Sequence, residues 1–266
     1  MVSYKFKILL LLFPSLVFCQ SKVIFPKTQN NFIVIAHRGN HVDVPENTIE
    51  SLQKAIEIGA DYVEVDVRST LEGVPVVMHD ANVEQTTDGK GKLSEMSTID
   101  FRNLKIKGTN INPPTLSAFL MEAKGKINLY LNIKEAEPTK IFALLERYQM
   151  NNNVVIYCSR TQIFQWKKVA PTIPIVTSPP FNIKTPFEFE AFILSFPISV
   201  LVGTYKMYDT IITQKLTEIN IPIWLNTLEV EDNTESWNLA IKLVIKALQT
   251  DRPQELITFL QKNKLR

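Results

Sequence analysis

Eight short apolar runs, each followed by a stretch of helical patterning, most narrow what this chain can fold into. The runs fall at residues 32–36, 62–67, 127–133, 154–158, 173–177, 198–202, 221–226 and 244–249, and their length and apolar character suit strands. Helical spacing fills residues 48–58, 115–123, 139–148, 161–169, 186–194, 209–219 and 233–243, with a last segment at 253–261. An open doubly wound sheet shares that local alternation. Eight repeats predict closure into a (β/α)8 TIM barrel, and 266 residues with 45% hydrophobic content suit one such core.

One run breaks the scheme. Residues 74–78 read as a strand, yet only about seven residues separate them from Val67, and a parallel crossover needs a dozen or more. The run is therefore expected in a hairpin-like excursion turning at Glu72-Gly73, within a small insertion after the second strand at about residues 69–112. Asp88-Gly89, Gly91 and Gly108 supply its turns.

The first 19 residues read as a signal peptide. Lys5 and Lys7 precede an apolar stretch at 8–18 that is too short to span a bilayer comfortably. Cleavage before Gln20 leaves a barrel domain over residues 20–266, exported to the periplasm or the extracellular space, with no stable membrane span. Lipid attachment at Cys19 fits poorly behind the bulky Phe18, and an uncleaved anchor is the remaining alternative. Without the leader the 29 Lys and Arg become 27, matching 27 Asp and Glu. A neutral chain disfavours nucleic acid as partner, and the sequence specifies no oligomeric state. Cys158 is then the lone cysteine, placed in an apolar run as a small buried hydrophobe. Seven of the eight glycines precede residue 126 and none forms a nucleotide-binding loop.

All three histidines, His37, His41 and His79, lie within residues 37–80, which also hold Glu46, Glu64, Asp66 and Asp80. His37 follows the first apolar run, at the carboxyl rim where barrel enzymes keep their sites. Glu64 and Asp66 alternate with Val63, Val65 and Val67, so both acids share one strand face. Two inward carboxylates are costly unless a cation compensates them. A glycosidase pair would use the two acids but leaves both His37 and His79 unexplained.

These residues stand in motifs that resemble one family. Ala36-His37-Arg38-Gly39, Pro45-Glu46-Asn47-Thr48, the run from Gly59 through Glu64 and Asp66 to Val67, Val76-Val77-Met78-His79-Asp80 and Thr86-Thr87-Asp88-Gly89 are similar, in order and spacing, to the glycerophosphodiester phosphodiesterases. The likeness resumes in the tryptophan-containing run at 221–226 and in the closing turn Thr250-Asp251-Arg252-Pro253. It implies that His37 and His79 form the acid and base pair, that Glu64 and Asp66 hold a divalent cation, Mg2+ or Ca2+, and that Arg38 grips the phosphate of a small glycerophosphodiester. Such residue types suit phosphodiester cleavage, which needs charge neutralisation, a deprotonated attacking oxygen and a protonated leaving group.

Asn132 departs from the pattern. Relatives commonly carry an acid there as a third metal ligand, whereas this chain reads Leu131-Asn132-Ile133-Lys134. The Asn132 carbonyl remains a usable ligand for a hard cation, and Lys134, on the same face, reaches phosphate as a point charge. Trp224 is assigned to the wall of the glycerol pocket, with a core aromatic as the alternative. His41 has no family counterpart and reads as a solvent-facing loop residue, with a ligand contact as the alternative. Glu46 and Asn47 are expected to start the first helix, Asn47 forming a capping box with Glu50. The expected reaction gives glycerol 3-phosphate and an alcohol. A lysophospholipase D-like activity is its nearest competitor, and a non-catalytic phosphate-ligand binder with a decayed metal site is another.

Overall fold

The computed structural model describes residues 23–266, so the leader at 1–19 and its cleavage lie outside the described residues. Among the described residues nine strands follow in chain order, with a helix between each pair except β2 and β3: β1 Ile33–Ala36, β2 Tyr62–Ser69, β3 Pro75–Val77, β4 Asn128–Glu135, β5 Val154–Tyr157, β6 Ile175–Thr177, β7 Val200–Gly203, β8 Ile223–Thr227 and β9 Ala247–Thr250. All but β3 form one parallel ring, since β1 pairs with β9 on one side and β2 on the other. The (β/α)8 barrel is therefore closed, and every ring strand matches one of the eight apolar runs within a few residues.

Period two along each strand divides the side chains. Ile35, Tyr62, Tyr130, Val155, Val176, Val200, Val202, Trp224 and Ala247 fill the interior. Alternate residues such as Val63, Val65, Leu129 and Leu131 face outward and pack under helices that include α1 Ile49–Glu57, α3 Leu116–Ala123 and α4 Pro138–Tyr148. At the carboxyl ends the interior turns polar, through Glu64 and Asp66 on β2 and Asn132 on β4.

The strand β3 is antiparallel to the end of β2, with Val67 opposite Val77. An excursion follows, containing the short helix α2 Thr98–Asn103 and a small core of Val76, Met78, Val83, Leu93, Phe101 and Leu104. Met78 donates its backbone N–H to the Asp66 carbonyl at 3.0 Å. That bond sets His79 beside the carboxyl end of β2.

The start of α1 differs from the sequence expectation. Thr48, not Asn47, is the N-cap, and it forms a capping box with Ser51. Asn47 stands one residue earlier in the left-handed region at φ 57°, a conformation asparagine tolerates. Its amide exchanges two hydrogen bonds with Asp66: Nδ2 donates to Oδ2 at 2.9 Å, and Oδ1 accepts from the Asp66 N–H at 3.2 Å. A side chain bracing a buried carboxylate cannot also cap the helix. Among the described residues, no helix is long and apolar enough to cross a membrane.

Candidate active site

The loop after β1 builds one wall of the barrel mouth. Gly39 sits at φ 88°, and a Cβ there would meet the Ser51 hydroxyl at 2.4 Å, so only glycine lets the loop pass so close to α1. Arg38, itself at φ 53°, donates its backbone N–H to Glu64 Oε2 at 3.1 Å. Its guanidinium reaches both Glu46 oxygens, at 2.8 and 3.0 Å, with Nε 3.2 Å from Asp66 Oδ2. Glu46 is therefore an Arg38 partner rather than a helix-start residue.

Glu64 and Asp66 are each about 1% exposed. Lys134 Nζ lies 3.3 Å from Asp66 Oδ1, and Asn132 donates its amide N–H to Glu64 Oε1 at 3.0 Å. Burial, aided by the like charge of Asp66, pushes the Glu64 carboxyl up to about 7. The site thus holds one carboxylate well compensated by cations and one that is not.

The two histidines of the motif are each backed by a carboxylate. His37 Nδ1 lies 2.7 Å from Asp251 Oδ1, and its Nε2 is 3.9 Å from Glu64 Oε2. Burial works against a charged His37, but the Asp251 hydrogen bond and the Glu64 charge outweigh it and raise its pKa above the ordinary value. His79 Nδ1 lies 2.9 Å from Asp80 Oδ1, and Asp80 Oδ2 accepts from the Thr86 hydroxyl at 3.1 Å. Arg68 donates to the His79 carbonyl at 2.8 Å.

A divalent cation is implied by the motif resemblance, and the donor set fits one. Asn132 Oδ1 is a buried acceptor without a hydrogen-bond partner, a costly state that a cation would relieve, and Asp66 Oδ1 meets only the Lys134 ammonium, at 3.3 Å. With Glu64 these two side chains offer two carboxylates and one neutral carbonyl, oxygens throughout, as hard cations prefer.

Two placements depart from expectation. Trp224 is 3% exposed inside the barrel, its ring 5.2 Å from Tyr62 and 6.0 Å from Tyr130. It is a core aromatic beneath the site and not a wall of the mouth. His41 is partly buried, its Nε2 3.2 Å from Asp251 Oδ1, rather than facing solvent.

Asp251 and Asp232 are the functional-site residues that sequence reasoning missed. Asp232 accepts from the Thr250 hydroxyl, the Asp251 N–H, the Arg252 N–H and Trp237 Nε1, at 2.7 to 3.1 Å, and so fixes the closing turn that carries Asp251. Burial works against the Asp251 charge, yet hydrogen bonds from His37, His41 and the Glu229 N–H hold its carboxyl well below the usual range. The closing-turn motif at 250–253 was the available signal. Asn226 and Gln249, on β8 and β9, carry further buried acceptors without partners.

The fold and mouth together define a (β/α)8-barrel protein with paired imidazoles, two cations and a buried acid pair at the carboxyl rim. The Glycerophosphoryl diester phosphodiesterase family pattern matches residues 37–178, and the chain belongs to that family. It is 28% identical over 255 residues to a glycerophosphodiester phosphodiesterase of Caldanaerobacter subterraneus subsp. tengcongensis, covering 86% of this chain and 98% of that one. Its fold matches a glycerophosphodiester phosphodiesterase from Agrobacterium tumefaciens with a TM-score of 0.76 at 23% identity, over 87% of this chain and 99% of that one. A phosphodiesterase from Oleispira antarctica, in complex with the product sn-glycerol-3-phosphate, matches with a TM-score of 0.77 at 19% identity, over 86% and 96%.

Proposed function

We propose that the chain hydrolyses glycerophosphodiesters to glycerol 3-phosphate and an alcohol, and that the leader directs this activity outside the cytoplasm. The observation that carries the reading is the pairing of each motif histidine with a carboxylate through Nδ1, 2.7 Å for His37 and 2.9 Å for His79. Both Nε2 atoms are thereby left for proton transfer.

The roles divide by surroundings. His37, between Asp251 and Glu64, whose carboxylates favour its protonated form, starts as the acid that protonates the leaving alkoxide. His79 has a side chain 36% exposed and starts as the base that takes the proton of the attacking water. Arg38 and Lys134 hold the phosphate oxygens, the guanidinium by its fork and the ammonium as a point charge. A Mg2+ or Ca2+ held by Glu64, Asp66 and the Asn132 carbonyl would add Lewis-acid neutralisation of the phosphoryl charge. Buried acceptors on Asn226 and Gln249 suit the hydroxyls of a glycerol moiety.

A second reading, cleavage of lysolipids, is favoured by the apolar rim. Phe181 is 77% exposed, Val230 90% and Val42 64%, all on loops that follow strand ends. A cavity of about 500 Å3 beside Phe181 is lined by Tyr157, Pro179 and Pro180 among others, and Tyr157 pairs in register with Asn132. Glycerophosphocholine and lysophosphatidylcholine, assayed in parallel with Mg2+, Ca2+ and chelator, test both. Release of glycerol 3-phosphate is expected. Choline release from the lysolipid alone would favour the second reading, and no metal-dependent turnover of either would leave a phosphate-ligand binder.

A further inference from the structure

His41 is the one histidine that the proposed reaction leaves without a part. It lies on the loop between β1 and α1, and its Nε2 approaches the same Asp251 oxygen that His37 Nδ1 meets, at 3.2 and 2.7 Å. One ligand-type atom from each of His37, His41 and Asp251 lies within 4.8 Å of the other two. Among the described residues, no other group of three or more His, Cys, Asp or Glu side chains gathers so closely.

We propose that His37, His41 and Asp251 form a binding site for Zn2+ or a similar borderline cation, separate from the oxygen-lined site of Glu64, Asp66 and Asn132, and that occupying it stops the reaction. Two imidazole nitrogens and one carboxylate oxygen, with a fourth position left to water, are a common donor set for four-coordinate Zn2+. Hard cations choose oxygens instead, so the two sites on one mouth sort metals by donor chemistry. Bonds of about 2.0–2.1 Å put tetrahedral ligand atoms about 3.3 Å apart. The present separations, 2.7 and 3.2 Å to Asp251 and no more than 4.8 Å overall, bracket that spacing.

The surroundings are those of a supported ligand set. Asp251 Oδ2 accepts from the Glu229 N–H at 2.9 Å, which leaves Oδ1 free to point at the two histidines. The Asp251 N–H is held in turn by Asp232 at 2.7 Å. The far nitrogen of His37 faces Glu64 at 3.9 Å. Metal-bound imidazoles are typically oriented by such outer carboxylates. The side chains of His37, His41 and Asp251 are all partly open to solvent, so a cation can reach them.

Coordination exchanges one bond for another. As the two metal–nitrogen bonds form, the His37 Nδ1 proton and the His41 Nε2 proton leave to water, each ring keeping or regaining its proton on the far nitrogen, and Asp251 turns from hydrogen-bond acceptor to ligand. The imidazole then loses the partner that orients it for catalysis. The binding half of the proposal stands apart from the catalytic reading, and the inhibitory half rests on it.

The test uses the metal-stripped wild type, His41→Gln, His41→Asn as a second replacement, and a Glu64→Gln, Asp66→Asn double variant. Calorimetry with Zn2+ under excess Mg2+ should find one site in the wild type and the double variant. Both histidine variants should bind at least about tenfold more weakly. Co2+ in place of Zn2+ should give the intense visible bands of four-coordinate cobalt wherever His41 is present. Zn2+ should inhibit glycerophosphocholine hydrolysis by the wild type, and the His41 variants should need at least about tenfold more, each against its own zinc-free rate. Equal Zn2+ affinity with and without His41 would overturn the site, as would loss of zinc from the double variant alone. Should the wild type hydrolyse no glycerophosphodiester with Mg2+, the catalytic reading fails, while the cobalt spectra still decide the metal site.

Discussion

Asn132 donates its amide N–H to Glu64 Oε1 at 3.0 Å, while the Oδ1 of the same amide is buried without a partner. The parallel register of β2 and β4 places Asn132 opposite Asp66, so the three side chains gather at one side of the barrel mouth. Asparagine here serves two states: it neutralises part of the Glu64 charge by donating a hydrogen bond and keeps a carbonyl free for a cation.

Replacing Asn132 with Asp separates those two jobs. Asn132→Asp adds an anionic oxygen but removes the donor to Glu64, so divalent-cation affinity should rise while metal-free stability falls. Calorimetry with Mg2+ and Ca2+ and thermal melts with chelator check both. Unchanged affinity in a folded variant would place Asn132 outside the coordination shell.

His37→Ala and His79→Ala should each lower kcat about 100-fold or more, the scale for losing a positioned acid or base. Circular dichroism should show both folded, since each side chain stands at the partly open mouth. Near-wild-type turnover of glycerophosphocholine by either variant would remove that histidine from the reaction.

Asp251→Asn tests orientation of His37. The amide can present N–H to the imidazole and favour the wrong tautomer, so kcat should fall by about 100-fold or more with KM much less affected. A fall confined to KM would assign Asp251 to substrate binding instead.

The raised Glu64 carboxyl makes metal-free stability depend on pH. With the folded pKa near 7 and the unfolded value near 4.5, the folded state binds the extra proton between them, and stability falls as pH rises through that window. Metal binding favours the ionised form, so added Mg2+ should raise Tm more at pH 8 than at pH 5. The chelated wild type should lose Tm across this range, and Glu64→Gln should flatten the loss. His37 contributes in the same direction only above its ordinary value of 6.5, and the Asp232 carboxyl, also raised by burial, does so from its ordinary 3.8 upward, so the difference between wild type and Glu64→Gln is what isolates Glu64.

The sequence by itself determined the barrel and the linear part of the site. Strand and helix periods are local, and eight repeats of them leave few ways to bury so many Val and Ile residues. His37, Glu64, Asp66 and His79 were legible because they sit at strand ends or alternate along one strand. Only closure of the barrel decided the rest. Asp251 lies 214 residues from His37 in the chain, and the two meet because β9 pairs with β1. Asp232 buttresses Asp251 from the preceding loop, a contact with no signature in residue spacing. Asn47 reads as a helix cap locally, but the buried Asp66 claims its amide. Trp224 reads equally as pocket wall or core. Barrel packing settles it as core, because its ring fills the interior between Tyr62 and Tyr130. Local patterns select conformations, whereas partners far apart in sequence are chosen by which buried charges and apolar faces the closed ring brings together.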